Sequence, residues 1–175
     1  MVLRLMWSSS SATARISRYD VAARLGVRSQ SLYAHVDGLD GLRRDLAVLG
    51  QQSLADQLGR AVTGRAGEDA LRALCDAYAR FAAERPGLYA CSQRAPGDDA
   101  ALELTSDAAT EPWRAVLRSF GLTQTEIVHF HRALWAAPHG FVTLRGPGLM
   151  TRTASPDRSF AVMVGVFVAA LTVER

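Results

Sequence analysis

Residues 16–36 read ISRYDVAARLGVRSQSLYAHV, and the punctuation of this stretch decides the fold. Ser17 and Asp20 are spaced as a shortened capping box, which starts a helix carrying Val21, Ala22 and Leu25. Gly26 ends it. After Val27 a second short helix turns Leu32 and Val36 inward, Gly38 breaks it, and a long helix begins near Leu39. Two short helices about a glycine turn form a helix-turn-helix pattern.

A second helix lying in a DNA major groove should present short polar groups and cations outward. The segment Arg28-Ser29-Gln30-Ser31-Leu32-Tyr33-Ala34-His35 does so. Gln30 can pair with an adenine edge through two hydrogen bonds, and Ser29 or Ser31 can reach a base or a phosphate. Tyr33 and His35 can donate to phosphate oxygens, and Arg15, Ser17 and Arg18 at the preceding helix start can grip the backbone strand. A polar helix hairpin on a protein surface would show the same pattern, so the residues alone leave both readings open.

Outward from this stretch the helical period continues. Leu39, Leu42, Leu46 and Leu49 make one stripe, Leu71, Leu74, Tyr78 and Phe81 a second, and Trp113, Val116, Leu117 and Phe120 a third, each expected to be the inner face of an amphipathic helix. Strand signals are nearly absent. Gly121, with Thr123 and Glu126 as a capping box, ends one helix at about 120 and starts the next at about 124. Ser155 and Pro156 cap a last helix over about 156–173, after the turn Gly146-Pro147-Gly148. Pro138 falls inside the helix that begins at Thr123, so a kink is expected near Leu134 to Pro138, with a pocket mouth beside it. The expected fold class is all-α: a three-helix helix-turn-helix head with a short first helix, residues 1–48, and a helical bundle for ligand binding and dimerisation, residues 49–175.

Composition narrows the function classes. With 49% hydrophobic residues, the 175-residue chain has ample material for a packed core. The net charge of +3 lies in the first third, since residues 1–60 hold eight Arg against five Asp and residues 61–175 hold twelve of each sign. A basic end on a neutral body suits a polyanion-binding head. All 20 basic residues are Arg, a planar donor matched to phosphate and guanine. Cys75 and Cys91 form no paired motif, and no secretory signal is visible, so a reducing cytoplasm is expected. Residues 159–173 carry no charge but fall short of the roughly 20 apolar residues of a membrane span, so no membrane partner is expected.

The run from Ile16 to Val36, with an ALA-x-x-LGV-like core at Val21 to Val27 and the LY-x-H element at Leu32 to His35, closely resembles the DNA-binding signature of tetracycline-repressor (TetR) family regulators. Glu84-Arg85-Pro86-Gly87-Leu88-Tyr89 and Ala133-Leu134-Trp135-Ala136-Ala137-Pro138-His139-Gly140 resemble a TetR subgroup with a Trp-His-Gly type ligand domain. The likeness covers most of the chain from residue 16 onward. It implies a recognition helix at about 28–34 whose Gln30, Ser31, Tyr33 and His35 face an operator, and a long helix leading to a ligand domain. Three positions depart from the pattern. Residues 1–11 supply only a stub of a first helix, Arg28 stands where a capping Ser or Thr is usual, and Leu39 stands where a Lys is common. Together they imply weaker DNA binding than is usual for the family.

Tyr78, Phe81, Tyr89, Trp113, Phe130, Trp135 and Phe167 supply the bulk to line a cavity or to fill a core, and His131 and His139 are the polar candidates among them. The resemblance implies a cavity for an apolar or aromatic effector. The last helix has apolar residues on more faces than one core buries. By the family likeness it forms a homodimer interface with its predecessor, through His139, Thr143, Phe160, Met163, Val164, Phe167, Val168 and Leu171. The implied function is a regulator, in the first instance a repressor, released from a palindromic double-stranded operator by a small molecule. The alternatives are a ligand-sensing dimer that has lost DNA binding and a helical metalloenzyme. For the latter, Glu126-x-x-His129 supplies half a di-iron motif, and none of His35, His131 or His139 follows a Glu by three residues. No hydrolase, metalloprotease or phosphate-loop motif is present, so neither catalysis, a cofactor nor a metal is expected.

Overall fold

Leu71, Leu74, Tyr78 and Phe81 all lie buried along one face of a single helix, and the rest of the body is arranged around that face. The computed structural model describes residues 38–173, which form six helices and no strand. In chain order they are α1 (Gly38–Val62), α2 (Gly67–Glu84), α3 (Pro86–Ser92), α4 (Ala100–Arg118), α5 (Gln124–Arg145) and α6 (Pro156–Thr172). Helix α2 touches each of the other five and is the axis of the bundle, whereas α6 rests chiefly on α5 and α2. Truncating a fully buried aromatic such as Phe81 to Ala costs about 3–5 kcal/mol in cores of this kind.

The boundaries follow the local chemistry. Thr123 and Glu126 form the reciprocal capping box at the start of α5, with Gly121 in the left-handed region at φ 71° just before it. The Ser155 hydroxyl accepts from the Arg158 amide, with Pro156 in the first turn of α6. Asp99 caps α4 by accepting from the Ala101 and Leu102 amides. Helix α5 runs unbroken through the buried Pro138, and α4 likewise contains Pro112.

Helix α1 departs from the sequence pattern. Its leucine stripe is not the face most deeply buried among the described residues, where Leu39, Leu42 and Leu46 are half-buried and Leu49 is 38% exposed. The buried face is Ala47, Gly50, Gln51, Leu54 and Leu58. The reason is close approach to α3: a Cβ added at Gly50 would lie 2.7 Å from the Leu88 carbonyl oxygen and 3.0 Å from Ser92 Cβ. Only a residue without a side chain fits there, so the glycine sets which face turns inward.

The polar residue beside that glycine is buried and satisfied. Gln51 donates from Nε2 to the carbonyls of Ser92 (3.3 Å) and Arg94 (3.0 Å), and its Oε1 accepts from the Thr105 hydroxyl at 2.5 Å. One side chain thereby joins α1, the end of α3 and α4.

Candidate functional site

The nine residues expected at DNA, namely Arg15, Ser17, Arg18, Arg28, Ser29, Gln30, Ser31, Tyr33 and His35, lie outside the described residues. The candidate site within the described body is a cluster of rings where α2, α3, α4 and α5 meet. Tyr78 of α2 is edge-on to Tyr89 of α3 at 5.6 Å and to Trp113 of α4 at 5.8 Å between ring centroids. Across the cluster α5 contributes two histidines. His131 lies 6.5 Å from Trp113, while His139 lies 5.9 Å from Tyr89 and 6.2 Å from Trp135.

A hydrogen-bonded chain runs through these rings. The Tyr78 and Tyr89 hydroxyls are 3.0 Å apart, and the Tyr89 hydroxyl is 2.6 Å from His139 Nδ1. With the imidazole proton on Nε2, Tyr89 donates to His139 and accepts from Tyr78; the other tautomer reverses the first bond. Burial pushes both phenols above the ordinary tyrosine range. Burial, and then the charges of Arg114 and Arg132, push His131 below the ordinary histidine range. The two phenols and His131 are therefore uncharged near neutral pH, and what they offer is ring stacking and neutral hydrogen bonding.

The other expected ligand residues differ in burial. Phe81 is wholly buried on α2, Phe130 and Phe167 are half-buried against the core, and Trp135 is 47% exposed on α5. None of these nine ligand candidates lines either of two clefts on the described surface. The first, about 530 Å³, lies between α2 and the α5–α6 turn, lined by Ala79, Arg80, Val142, Arg145, Asp157 and Phe160 among others. The second, about 870 Å³, lies beside Arg44, Arg94 and residues 95–102. Among the described residues no group of three or more His, Cys, Asp or Glu comes together as a metal site.

Helix α6 divides the residues expected at the dimer interface. Phe160, Val164, Val168 and Leu171 turn into the subunit's own core, and Met163 and Phe167 are half-buried beside them. The opposite face bears Val162, Val166 and Val173, each 62–68% exposed. On α5, His139 is half-buried, Thr143 is exposed, and Leu144 and Trp135 add further exposed apolar surface. The period-3.6 pattern gave an apolar helix without saying which face the subunit keeps for itself, because both faces carry apolar residues. Sequence reasoning also missed Gln51 and Thr105, for which the signal was a Gly-Gln pair within the apolar period of α1. It missed Arg44 and Asp99 as well, which are 55 residues apart and carry no local signal.

Comparison with known proteins places this geometry. Residues 71–167, more than half of the chain, match the family model described as tetracyclin repressor-like, C-terminal domain. The chain is 36% identical over 132 residues to the uncharacterized HTH-type transcriptional regulator Rv0681 of Mycobacterium tuberculosis, covering 74% of this chain and 61% of that protein. It thus spans about three fifths of that relative's length. It is 27% identical over 158 residues to the uncharacterized HTH-type transcriptional regulator YobS of Bacillus subtilis, covering 90% and 83% of the two chains. In three dimensions it is similar to the TetR family transcriptional regulator PfmR of Thermus thermophilus, with a TM-score of 0.69 at 18% identity over 91% of this chain and 90% of that one. That likeness is one of fold. No helix among the described residues is long and apolar enough to cross a membrane. Because this family model matches more than half of the chain, and a relative 36% identical covers 74% of it, the chain belongs to the tetracyclin repressor-like (TetR) family.

Proposed function

We propose that this chain is a cytoplasmic, DNA-binding transcriptional regulator acting as a homodimer, with residues 1–48 as the reading head and residues 49–175 as the sensing and dimerising body. The match of residues 71–167 to the family's C-terminal domain carries the reading, because it joins a sensing body to a chain whose residues 16–36 have the helix-turn-helix pattern. Gln30 reads a base edge, with Ser29 and Ser31 beside it. Arg15, Ser17, Arg18, Arg28, Tyr33 and His35 hold phosphates.

The effector is a small, flat, apolar or aromatic molecule with a hydrogen-bonding group. It enters the cluster of Tyr78, Tyr89, Trp113, His131, Trp135 and His139 by displacing Trp135, the exposed ring at its edge. The partner subunit covers Val162, Val166 and Val173, the exposed apolar face of α6. Effector binding shifts the dimer toward a form whose heads no longer match successive major grooves, which releases the operator.

The experiment is a binding assay on a duplex selected from random sequence. Gln30→Ala should relax discrimination at one base pair by about 1–3 kcal/mol, and Arg18→Ala should weaken every sequence alike and lower the salt slope by about one. Equal effects of both variants on selected and random duplexes would remove the assignment.

A further inference from the structure

Helix α1 is the covalent bridge between residues 1–37 and the helical body, and two chemically different attachments hold it there. Its middle is locked by the Gly50 contact with α3 and by the three hydrogen bonds of Gln51. Its front carries, among the described residues, a charged attachment to the body. Arg44 donates from Nε to Asp99 Oδ2 at 2.6 Å and from Nη2 to Asp99 Oδ1 at 3.0 Å, a two-pronged fork. The same Oδ1 accepts from the Ala101 and Leu102 amides, so one carboxylate both starts α4 and grips α1. The Arg44 bond, reinforced by those two amides, holds the Asp99 carboxyl down to about 2.

The two ends of α1 differ in how easily they release. The Arg44 side chain is 41% exposed and that of Asp99 25%, and they border the open cleft lined by Arg94 and residues 95–102, so solvent and salt reach them. Ion pairs in this setting are individually weak. Gln51 is buried, and breaking its network strands polar groups away from water. Opening is therefore local and begins at the front of α1. Asp45 accepts from Arg44 Nη1 at 3.0 Å, but it is the next residue on the same helix and fastens nothing to the body.

We infer that Arg44 and Asp99 are a positioning pair, a clasp that fixes the angle at which α1 leaves the body toward residues 1–37 and whose opening frees residues 38–48 while Gln51 keeps the rest of α1 seated. Any effect of opening on DNA rests on the regulator reading. The opening itself does not, and it is measured without DNA.

Hydrogen exchange by mass spectrometry on the full chain tests it, comparing the parent with Arg44→Gln and Asp99→Asn. Asparagine retains an oxygen that accepts from the Ala101 and Leu102 amides, so α4 stays capped in that variant. In both variants the amides of residues 42–48 should exchange at least about fivefold faster, with residues 52–60 and 70–82 unchanged. Arg44→Lys, which keeps the charge and loses the fork, should fall between. Raising salt from about 0.05 to about 1 M should reproduce the local acceleration in the parent and add little in the variants. Unchanged exchange at 42–48 in both variants overturns the clasp, as does acceleration that spreads through 70–82 or a parent insensitive to salt.

Discussion

Replacing Tyr89 with Phe isolates the hydrogen-bonded chain from the packing around it. The ring and its edge contact with Tyr78 at 5.6 Å are preserved, so no cavity forms. What is lost is one hydroxyl that meets the Tyr78 hydroxyl at 3.0 Å and His139 Nδ1 at 2.6 Å. Each such bond contributes about 0.5–1.5 kcal/mol net, and leaving the buried Tyr78 hydroxyl short of a partner adds a desolvation cost of about 1 kcal/mol or more. The expected loss is about 2–4 kcal/mol. In a chain of this size that lowers the melting temperature by about 4–16 °C. Tyr78→Phe removes the bond to Tyr89 and the polar contact with Trp135 but leaves Tyr89 its contact with His139, so it should cost about 1 kcal/mol or somewhat more. The double variant should be less destabilised than the sum, with a coupling of about 1 kcal/mol. Urea denaturation followed by circular dichroism, at one protein concentration because association shifts apparent stability, measures all four corners. A Tyr89→Phe variant within about 0.5 kcal/mol of the parent, or a strictly additive cycle, would refute a coupled chain at this site.

Two further predictions concern charge and the outer face of α6. Val162→Glu, placed on the exposed side of the helix, should leave the subunit folded and raise the dimer dissociation constant at least about a hundredfold by light scattering; an unchanged mass would put the interface elsewhere. His131 is pushed below its ordinary value of 6.5 by burial and by Arg114 and Arg132, so the folded state favours the neutral ring. Its contribution to stability is then full above about pH 6.5 and is lost as pH falls toward the depressed folded value. The melting temperature of the parent should fall with acidification below pH 6.5, and that of His131→Asn should fall less steeply; identical slopes would contradict this.

The legibility of this chain in its sequence followed the range of the interactions. Capping is local, so Thr123 with Glu126 and Ser155 with Pro156 marked the starts of α5 and α6 correctly. The stripe Leu71, Leu74, Tyr78 and Phe81 was equally legible, because α2 is surrounded by the other helices and its whole apolar face is buried. On α1 the leucine period did not reveal the face buried among the described residues, which carries Gly50 and its close approach to the Leu88 carbonyl. On α6 the sequence offered two apolar faces and, beyond the first turn with Asp157 and Arg158, no charge to tell them apart. At the candidate site the ring-bearing residues were identifiable singly, yet the order Tyr78, Tyr89, His139 depends on three helices meeting and leaves no trace in spacing along the chain. The Arg44–Asp99 fork is the extreme case, joining a surface arginine to a loop aspartate that look alike in sequence to every other charged surface residue.

The central claim, that a symmetric pair of these chains offers Gln30 and its neighbours to two major grooves, is tested most directly by repeated selection of the purified protein on random double-stranded DNA. The account predicts an enriched inverted repeat whose half-sites are centred about 34 Å apart, roughly one turn of the duplex. Pools that stay random through every round, even at low salt where phosphate contacts are strongest, would contradict it.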